Sequence, residues 1–528
     1  MPRGPFTIEL PLDEASIAKG KPVPDSPGIR VRGKLGETRI REANDATRAV
    51  RALSLFVVNE RAPSEDKSKT DEQYVFQVQL EVEHEGGLVA RPNRQGEREE
   101  GDWDDRVADL QFRDHCEWAV GHNVSVSSVS VSSVSVSADS EPSVTRVRTT
   151  WLPRAEVRRV VPRELASVTI SMDALGALTE GEAARPMLMP LVDAYREWIA
   201  AQEQVAVDSK SRAATRDALM SRAAQTCERI REGIEVLARD REVLEAFALG
   251  NQAMALAARQ RSPQRYADGS APRWRLFQLA FVLMSLPSLA DPKHADRELV
   301  DLIFFPTGGG KTEAYLGVIA VTLLLRRIRA RGRVDAGLGV AVLLRYTLRL
   351  LTLDQLGRAA TLVCALEQLR KEKGVLGDVR FSIGLWVGRS ATANTMAQVK
   401  EKIVEYKVSA SSSTPSPCPL THCPWCQTAL DRNSLDLQPS KQSPEEVIVG
   451  CVSMSCPFSA RNEPAGIPVV FVDEQIYREL PCFLVATVDK FAMLPWRGET
   501  GMLFGRASTH QGRRFWGPLD GRAPKGAA

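Results

Sequence analysis

The stretch Leu302 to Thr312, LIFFPTGGGKT, constrains the fold more than any other part of the chain. Leu302 to Phe305 are apolar, Pro306 closes that run, and Thr307, Gly308, Gly309, Gly310, Lys311 and Thr312 lead into a helical run from Glu313 through Leu325. Strand, loop and helix in that order are how a parallel α/β sheet presents a phosphate-binding loop. Glycines let the backbone approach phosphate oxygens closely, and the amides at a helix start supply hydrogen bonds and the positive end of the dipole. Lys311 is placed to reach the β and γ phosphates of a nucleotide, and Thr312 to give its hydroxyl to Mg2+. The expected ligand is ATP with Mg2+, and Lys311 and Thr312 are the expected catalytic pair of the loop.

A chain of 528 residues is too long for one core, so several domains are expected. A hydrophobic share of 43% with 26% charged residues excludes a wholly disordered or collagen-like chain. The formal charge of +3 arises from 69 basic and 66 acidic residues, so a nucleic-acid surface must be a local patch. The N-terminus MPRGPFTIELPLDEAS lacks the apolar core of a signal peptide. The longest apolar run, Leu316 to Leu325, is about half of what a bilayer crossing needs. A cytoplasmic protein is expected.

Residues 1–168 show short alternating segments such as Tyr74 to Val82, YVFQVQLEV, broken by Gly, Pro and charge, which is strand-and-turn grammar. Within them Val124 to Ser137, VSVSSVSVSSVSVS, repeats every five residues, and its extra serine reverses the alternation of faces at each step. It reads as a low-complexity surface loop, 124–137. Residues 169–267 turn to Ala, Leu, Arg and Glu at helical spacing and read as a helical domain or spacer. The polar segment RSPQRYADGSAPR then precedes a new apolar pattern from Trp274.

From residue 268 the pattern is that of a phosphate-loop α/β domain. Gly339 to Leu344, GVAVLL, reads as a buried strand that runs into Arg345, Tyr346, Thr347, Leu348 and Arg349, with Gln355 on the next helix. Phe381 to Val387 leads to Gly388 and Arg389, and Phe483 to Ala486 leads to Thr487, Val488, Asp489 and Lys490. Strand ends carry the sites of parallel sheets, and hydroxyl and cationic groups there suit the sugar-phosphate backbone. Arg345, Thr347, Arg349, Gln355, Thr487 and Lys490 are therefore the candidate nucleic-acid contacts. Any one of them alone is equally an ordinary strand-end polar group.

Cys423-Pro-Trp-Cys426 and Cys451-Val-Ser-Met-Ser-Cys456 are two close pairs in a polar, proline-bearing stretch. Two such knuckles supply the four thiolates of a tetrahedral structural Zn2+ site. Cys418 and His422 are spare candidates, and the clustering favours metal over disulfides in a reducing compartment.

These motifs carry a family resemblance. Phe305 stands where the full G-x-x-x-x-G-K-T pattern has its first glycine, a departure that resembles helicases of the second superfamily. The residues after GVAVLL resemble the helicase motif in which a threonine, a basic residue and a glutamine line the nucleic-acid path. Thr487 to Phe491 occupies the place of the helicase T-P-G-R-x motif, and Gln278, in WRLFQLAFVLM, resembles a glutamine that reads adenine. The combination WRLFQLAF, VDLIFFPTGGGKTEAYLG, LLRYTLRLLTLDQ, CPWC and ATVDKFAMLPW, with ADLQFRDHCEWAVGHNVSV and RTTWLPRAEV nearer the N-terminus, resembles the large helicase subunits of DISARM anti-phage defence systems. The resemblance implies ATP-dependent movement on DNA that has a single-stranded region. It also implies partnership with a second DISARM subunit carrying a DUF1998-type domain.

The implied architecture is multidomain α/β: a β-rich domain over 1–168, a helical domain over 169–267, and a RecA-like P-loop motor domain over 268–409 and 466–528. Its parallel sheet is expected to be incomplete, with a zinc-binding insertion over 410–465. ATP hydrolysis needs an acidic pair on a later strand. Asp473-Glu474 follow the apolar run Val469 to Val472 but precede the Thr487 motif, the reverse of the helicase order, and read as a structural strand end, with the catalytic acidic pair as the alternative. No D-E-x-H pattern follows Lys490, and GRRFWGPLDGRAPKGAA reads as a turn-rich tail. The expectation is the N-terminal part of a longer motor, truncated or frame-shifted. The alternative is a degenerate, non-hydrolysing ATP- and DNA-binding module.

Overall fold

Four short apolar runs in the second half of the chain form one parallel sheet: β1 (Val342–Tyr346), β2 (Ile383–Trp386), β3 (Val469–Val470) and β4 (Phe483–Thr487), in the order β3-β2-β4-β1. The structure is a computed structural model. It describes residues 6–41, 47–91, 102–115, 117–131, 144–154, 161, 163–207, 209–305, 308–333, 337–346, 349–388, 391–409, 414–520, 523 and 527. The chain divides into two compact units, one of Met1–Arg159 with Ile199–Ala223, the other of Val160–Trp198 with Ala224–Ala528.

In the first unit Ile29–Arg41 and Thr47–Asn59 pair antiparallel over their whole length, from Ile29 opposite Asn59 to Arg41 opposite Thr47. A second sheet places Val144–Thr150 between Glu81–Leu88 and Ser125–Val131. The run read as a strand at Tyr74 to Val82 becomes one only from Glu81; a 3-10 turn at Lys67–Gln73 and irregular chain precede it. The serine-valine repeat is corrected in part. Ser125–Val131 is a paired strand, and its register shifts at Ser128/Ser130 and Ser130/Val131, in the residues that follow the doubled serine Ser127-Ser128. Residues 132–137 lie outside the described residues. The bidentate Arg212–Asp109 pair, at 2.8 and 2.9 Å and buried, ties residues 199–223 into this unit.

In the second unit the sheet is all parallel, and a parallel sheet stays stable only when both faces are covered. Helix α4 (Arg349–Lys373) packs on β1, β2 and β4, and α1 (Arg241–Arg261), α2 (Leu276–Ala290) and α3 (Lys311–Arg329) pack among themselves and against it. Helix α1 packs on α3 and α4, so residues 224–267 belong with the sheet rather than forming a separate helical body. Leu484 of β4, fully buried, sits in a core with Trp386, Val470, Ile476, Leu480 and Met502. Gly384 of β2 has no side chain because a Cβ there would stand 2.4 Å from a Leu484 methyl.

Two expectations fail here. Leu302 to Phe305 pair with no strand among the described residues; Leu302 is 83% and Phe304 90% exposed, and the Phe304 amide donates to the Leu302 carbonyl in a tight turn. Apolar composition alone does not make a strand when no neighbouring strand satisfies its backbone. The tail is also more ordered than it reads: Thr509–Gln511 and Arg514–Trp516 form an antiparallel hairpin, and Phe515 joins the Leu484 core. Among the described residues no helix is long and apolar enough to cross a membrane. Leu484→Ala, which empties the centre of this core, is expected to lower unfolding free energy by about 2–5 kcal/mol in urea denaturation.

Candidate phosphate-loop and metal sites

Gly310 is the residue on which the loop turns into α3. It has φ +88°, Gly308 has φ +79°, and both lie in the left-handed region that side-chain-bearing residues avoid. A Cβ on Gly310 would also stand 2.7 Å from Nε2 of Gln278. Lys311 is the first residue of the helix, and no side chain caps the helix start, so the first-turn amides face the loop. The Lys311 ammonium donates to the Phe305 carbonyl. Thr307 lies outside the described residues.

Two side chains from α2 and its lead-in hold this loop from behind. Gln278 is buried, at 4% exposed; its Nε2 donates to the Gly310 carbonyl at 2.7 Å and its Oε1 accepts from the Arg275 amide at 2.8 Å. The Arg275 guanidinium donates to the Gly309 carbonyl. The amide expected to read adenine is therefore engaged on both ends as a brace of the loop. Phe277, its neighbour, stacks on Phe305 with ring centroids 4.1 Å apart and planes 14° from parallel. Glu313, in the first turn of α3, is held by Arg261 at 3.2 Å and Arg358 at 3.9 Å.

The structure brings Thr312 and Gln355 together through a residue the sequence did not single out. The Tyr315 hydroxyl lies 3.3 Å from Thr312 Oγ1, 2.9 Å from Gln355 Oε1 and 2.8 Å from the Tyr346 hydroxyl. Thr312 Oγ1 itself stands 3.5 Å from Gln355. Tyr346 ends β1, and burial together with the bond to Tyr315 pushes its hydroxyl above the ordinary tyrosine range. Tyr315 lies four residues after Lys311, one turn along the same helix face, and that spacing is the signal that would have found it.

The strand-end candidates separate. Arg345 is exposed, with its guanidinium over the Phe491 ring at 5.8 Å. Thr347 and Arg389 lie outside the described residues, and Arg349 opens α4. Thr487 is buried and its hydroxyl has no partner among the described residues. Lys490 is nearly buried and pairs with Asp473, with Asn394 Oδ1 3.4 Å from its ammonium. Burial raises the Asp473 carboxyl above its ordinary value against the opposing pull of Lys490. Glu474 accepts from the Met396 amide at 2.6 Å, at the start of the helix Met396–Val408. Both acidic residues thus join chain segments at the end of the sheet, as the strand-end reading expects.

The Cys423, Cys426, Cys451 and Cys456 sulfurs lie within 4.8 Å of one another, with Cys426 and Cys451 at 3.5 Å and Cys423 and Cys456 at 3.9 Å. Tetrahedral thiolates on Zn2+ at about 2.3 Å stand roughly 3.8 Å apart, so these four sulfurs fit one zinc ion. Burial pushes the Cys456 thiol up to about 12 and also raises Cys423 and Cys451. Four sulfurs so close cannot all ionise without a cation, and a dication reverses that balance. Cys418 is buried outside the cluster, and His422 bonds Thr421 instead. The knuckle docks on α4, where the Thr361 hydroxyl donates to the Pro424 carbonyl at 2.9 Å.

No family model matches the chain. Over 491 residues it is 30% identical to DISARM protein DrmA of Bacillus paralicheniformis, a span that takes in 86% of this chain. The chain is DrmA-like. The match covers 41% of that relative, so the DrmA-like chain spans about two fifths of its length. The aligned share of this chain is too large to be confined to the phosphate loop or the cysteine cluster. By inductively coupled plasma mass spectrometry the purified DrmA-like chain is expected to carry about one zinc per molecule, and Cys451→Ser to lose it. Wild-type protein free of zinc after purification without chelators would refute the metal assignment.

Proposed function

We propose that this chain is the ATP-binding part of a superfamily 2 DNA helicase or translocase in bacterial anti-phage defence, acting in the cytoplasm. The observation that carries the reading is the turn at Gly310, where a left-handed glycine delivers Lys311 and Thr312 at the uncapped start of a long helix. Main-chain amides of Gly308, Gly309 and Gly310 would hold phosphate oxygens, Lys311 would leave the Phe305 carbonyl for the β and γ phosphates, and Thr312 would hold Mg2+. Bound Mg2+ supplies charge neutralisation on the phosphates. Gln278 and Arg275 keep the loop carbonyls turned away from that anion.

Tyr315 and Gln355 tie Thr312 to the end of β1, where Arg345 is exposed to meet a DNA backbone. Thr347, Arg349, Thr487 and Lys490 complete the proposed path, Thr487 only once its buried hydroxyl is uncovered and Lys490 only after it releases Asp473. The proposed Zn2+ on the four cysteines is structural, and the proposed partner is a second DISARM subunit with a DUF1998-type domain.

A second reading has its own observation. Asp473 is committed to Lys490 and Glu474 to a backbone amide, so neither serves as the acidic pair that hydrolysis requires. That favours a chain that binds ATP and DNA without turning ATP over by itself. Lys311→Ala is expected to weaken binding of a fluorescent ATP analogue by about 10- to 100-fold, the loss of a hydrogen bond between charged groups. Unchanged affinity would sink the assignment. ATP turnover by wild-type chain alone, stimulated by single-stranded DNA, would refute the non-hydrolysing reading.

A further inference from the structure

The opposite edge of the sheet holds a second charged site that plays no part in the reading above. Tyr346, which meets the phosphate-loop helix, ends β1, whereas Gly339, Ser382 and Cys482 stand just before β1, β2 and β4. These three line a cavity together with Arg327, Arg380, Arg513 and Glu479. Its enclosed part is about 10 Å³, the room of one water, and with the solvent at its mouth the empty space is about 290 Å³.

Positive charge exceeds negative charge on these walls. Arg327 is 6% exposed, lies over the Phe381 ring at 5.1 Å, and has no carboxylate within ion-pair distance among the described residues. Arg380 has one carboxylate, Glu479 at 3.5 Å, and its buried Nε has no partner. Arg513 pairs with Glu446 and stands 4.0 Å from the same Glu479, which also accepts from Gln475 at 2.7 Å. Including Arg514, which shares Glu446 and Glu445, four guanidinium groups face three carboxylates, and Arg327 has none of them. Burial, then the neighbouring Arg380 and Arg514, hold Arg513 down at about 10, and burial likewise lowers Arg327. A buried charge without a counter-charge is strongly unfavourable, and an arginine, which keeps its proton, is relieved only by a partner of opposite charge.

We propose that this cavity binds a small inorganic anion, chloride or one edge of a phosphate-type oxyanion, between Arg327, Arg380 and Arg513. Guanidinium groups suit such oxygens, and the enclosed room excludes a large organic ligand. Such an anion would add to the pairwise contacts of Glu479 with Arg380 and Arg513 and of Arg327 with Phe381, joining the end of α3, the entry to β2, the helix Asp473–Glu479 and the hairpin carrying Arg513.

Chloride-35 NMR on the full chain tests this, with sodium chloride as the probe and inorganic phosphate as competitor at constant ionic strength. Wild-type protein is expected to broaden the chloride line, Lys311→Ala to broaden it equally, and Arg327→Met and Arg513→Met to lose most of the broadening. Phosphate that restores a narrow line at low millimolar concentration identifies an oxyanion site, and phosphate without effect identifies a halide site. Arg513 lies on a hairpin turn, so its variant keeps the test open if Arg327→Met fails to fold. Broadening equal in wild type and Arg513→Met would overturn the proposal, and broadening lost only in Lys311→Ala would place the anion at the phosphate loop instead.

Discussion

A parallel sheet cannot leave either face in water, and that constraint organises the second unit. Three of its four strands are short and buried throughout, β1 at the edge is only partly covered, and the polar residues gather at the strand ends. At one end stand Tyr346, Thr487 and the Asp473–Lys490 pair; at the other stand the arginines around Ser382 and Cys482. Helices that cover the faces must start and stop at those same edges. Helix α3 starts at the candidate phosphate loop, and its last turns supply Arg326 and Arg327 to the opposite end.

The loop itself is shaped by a compromise between backbone and side chain. Carbonyls of Gly309 and Gly310 would repel an anion if they pointed into the loop, and Arg275 and Gln278 engage both from outside. That leaves the amides as the groups the loop presents. Gln278 in this position holds the main chain, with both ends of its amide engaged.

The sequence announced strands by apolar runs between breakers, and β1, β2 and β4 fall within those runs to a residue or two at their ends. It announced the cysteine cluster by spacing alone, because two knuckles of the right size leave little freedom in where the sulfurs meet. What it did not convey depends on neighbours distant in the chain. Leu302 to Phe305 have strand composition without a strand beside them, Gln278 looks free until Gly310 is seen against it, and Tyr315 gains its meaning only when Tyr346 arrives from another element. The low-complexity repeat misled for the opposite reason: valine at alternate positions is enough to pair with Val144–Thr150, and the irregular serines surface only as shifts of register.

Helix α4 carries two loads. Gln355 near its start reaches the Thr312 hydroxyl, and Thr361 holds the backbone between the first two cysteines of the four-cysteine cluster. Six residues of α-helix separate them, roughly 9 Å along the axis. Over so short a span a helix behaves as a rigid rod, so any roll or slide of α4 is felt at both ends at once. The cysteine knuckle and the glycine loop thus rest on one and the same helix, six residues apart.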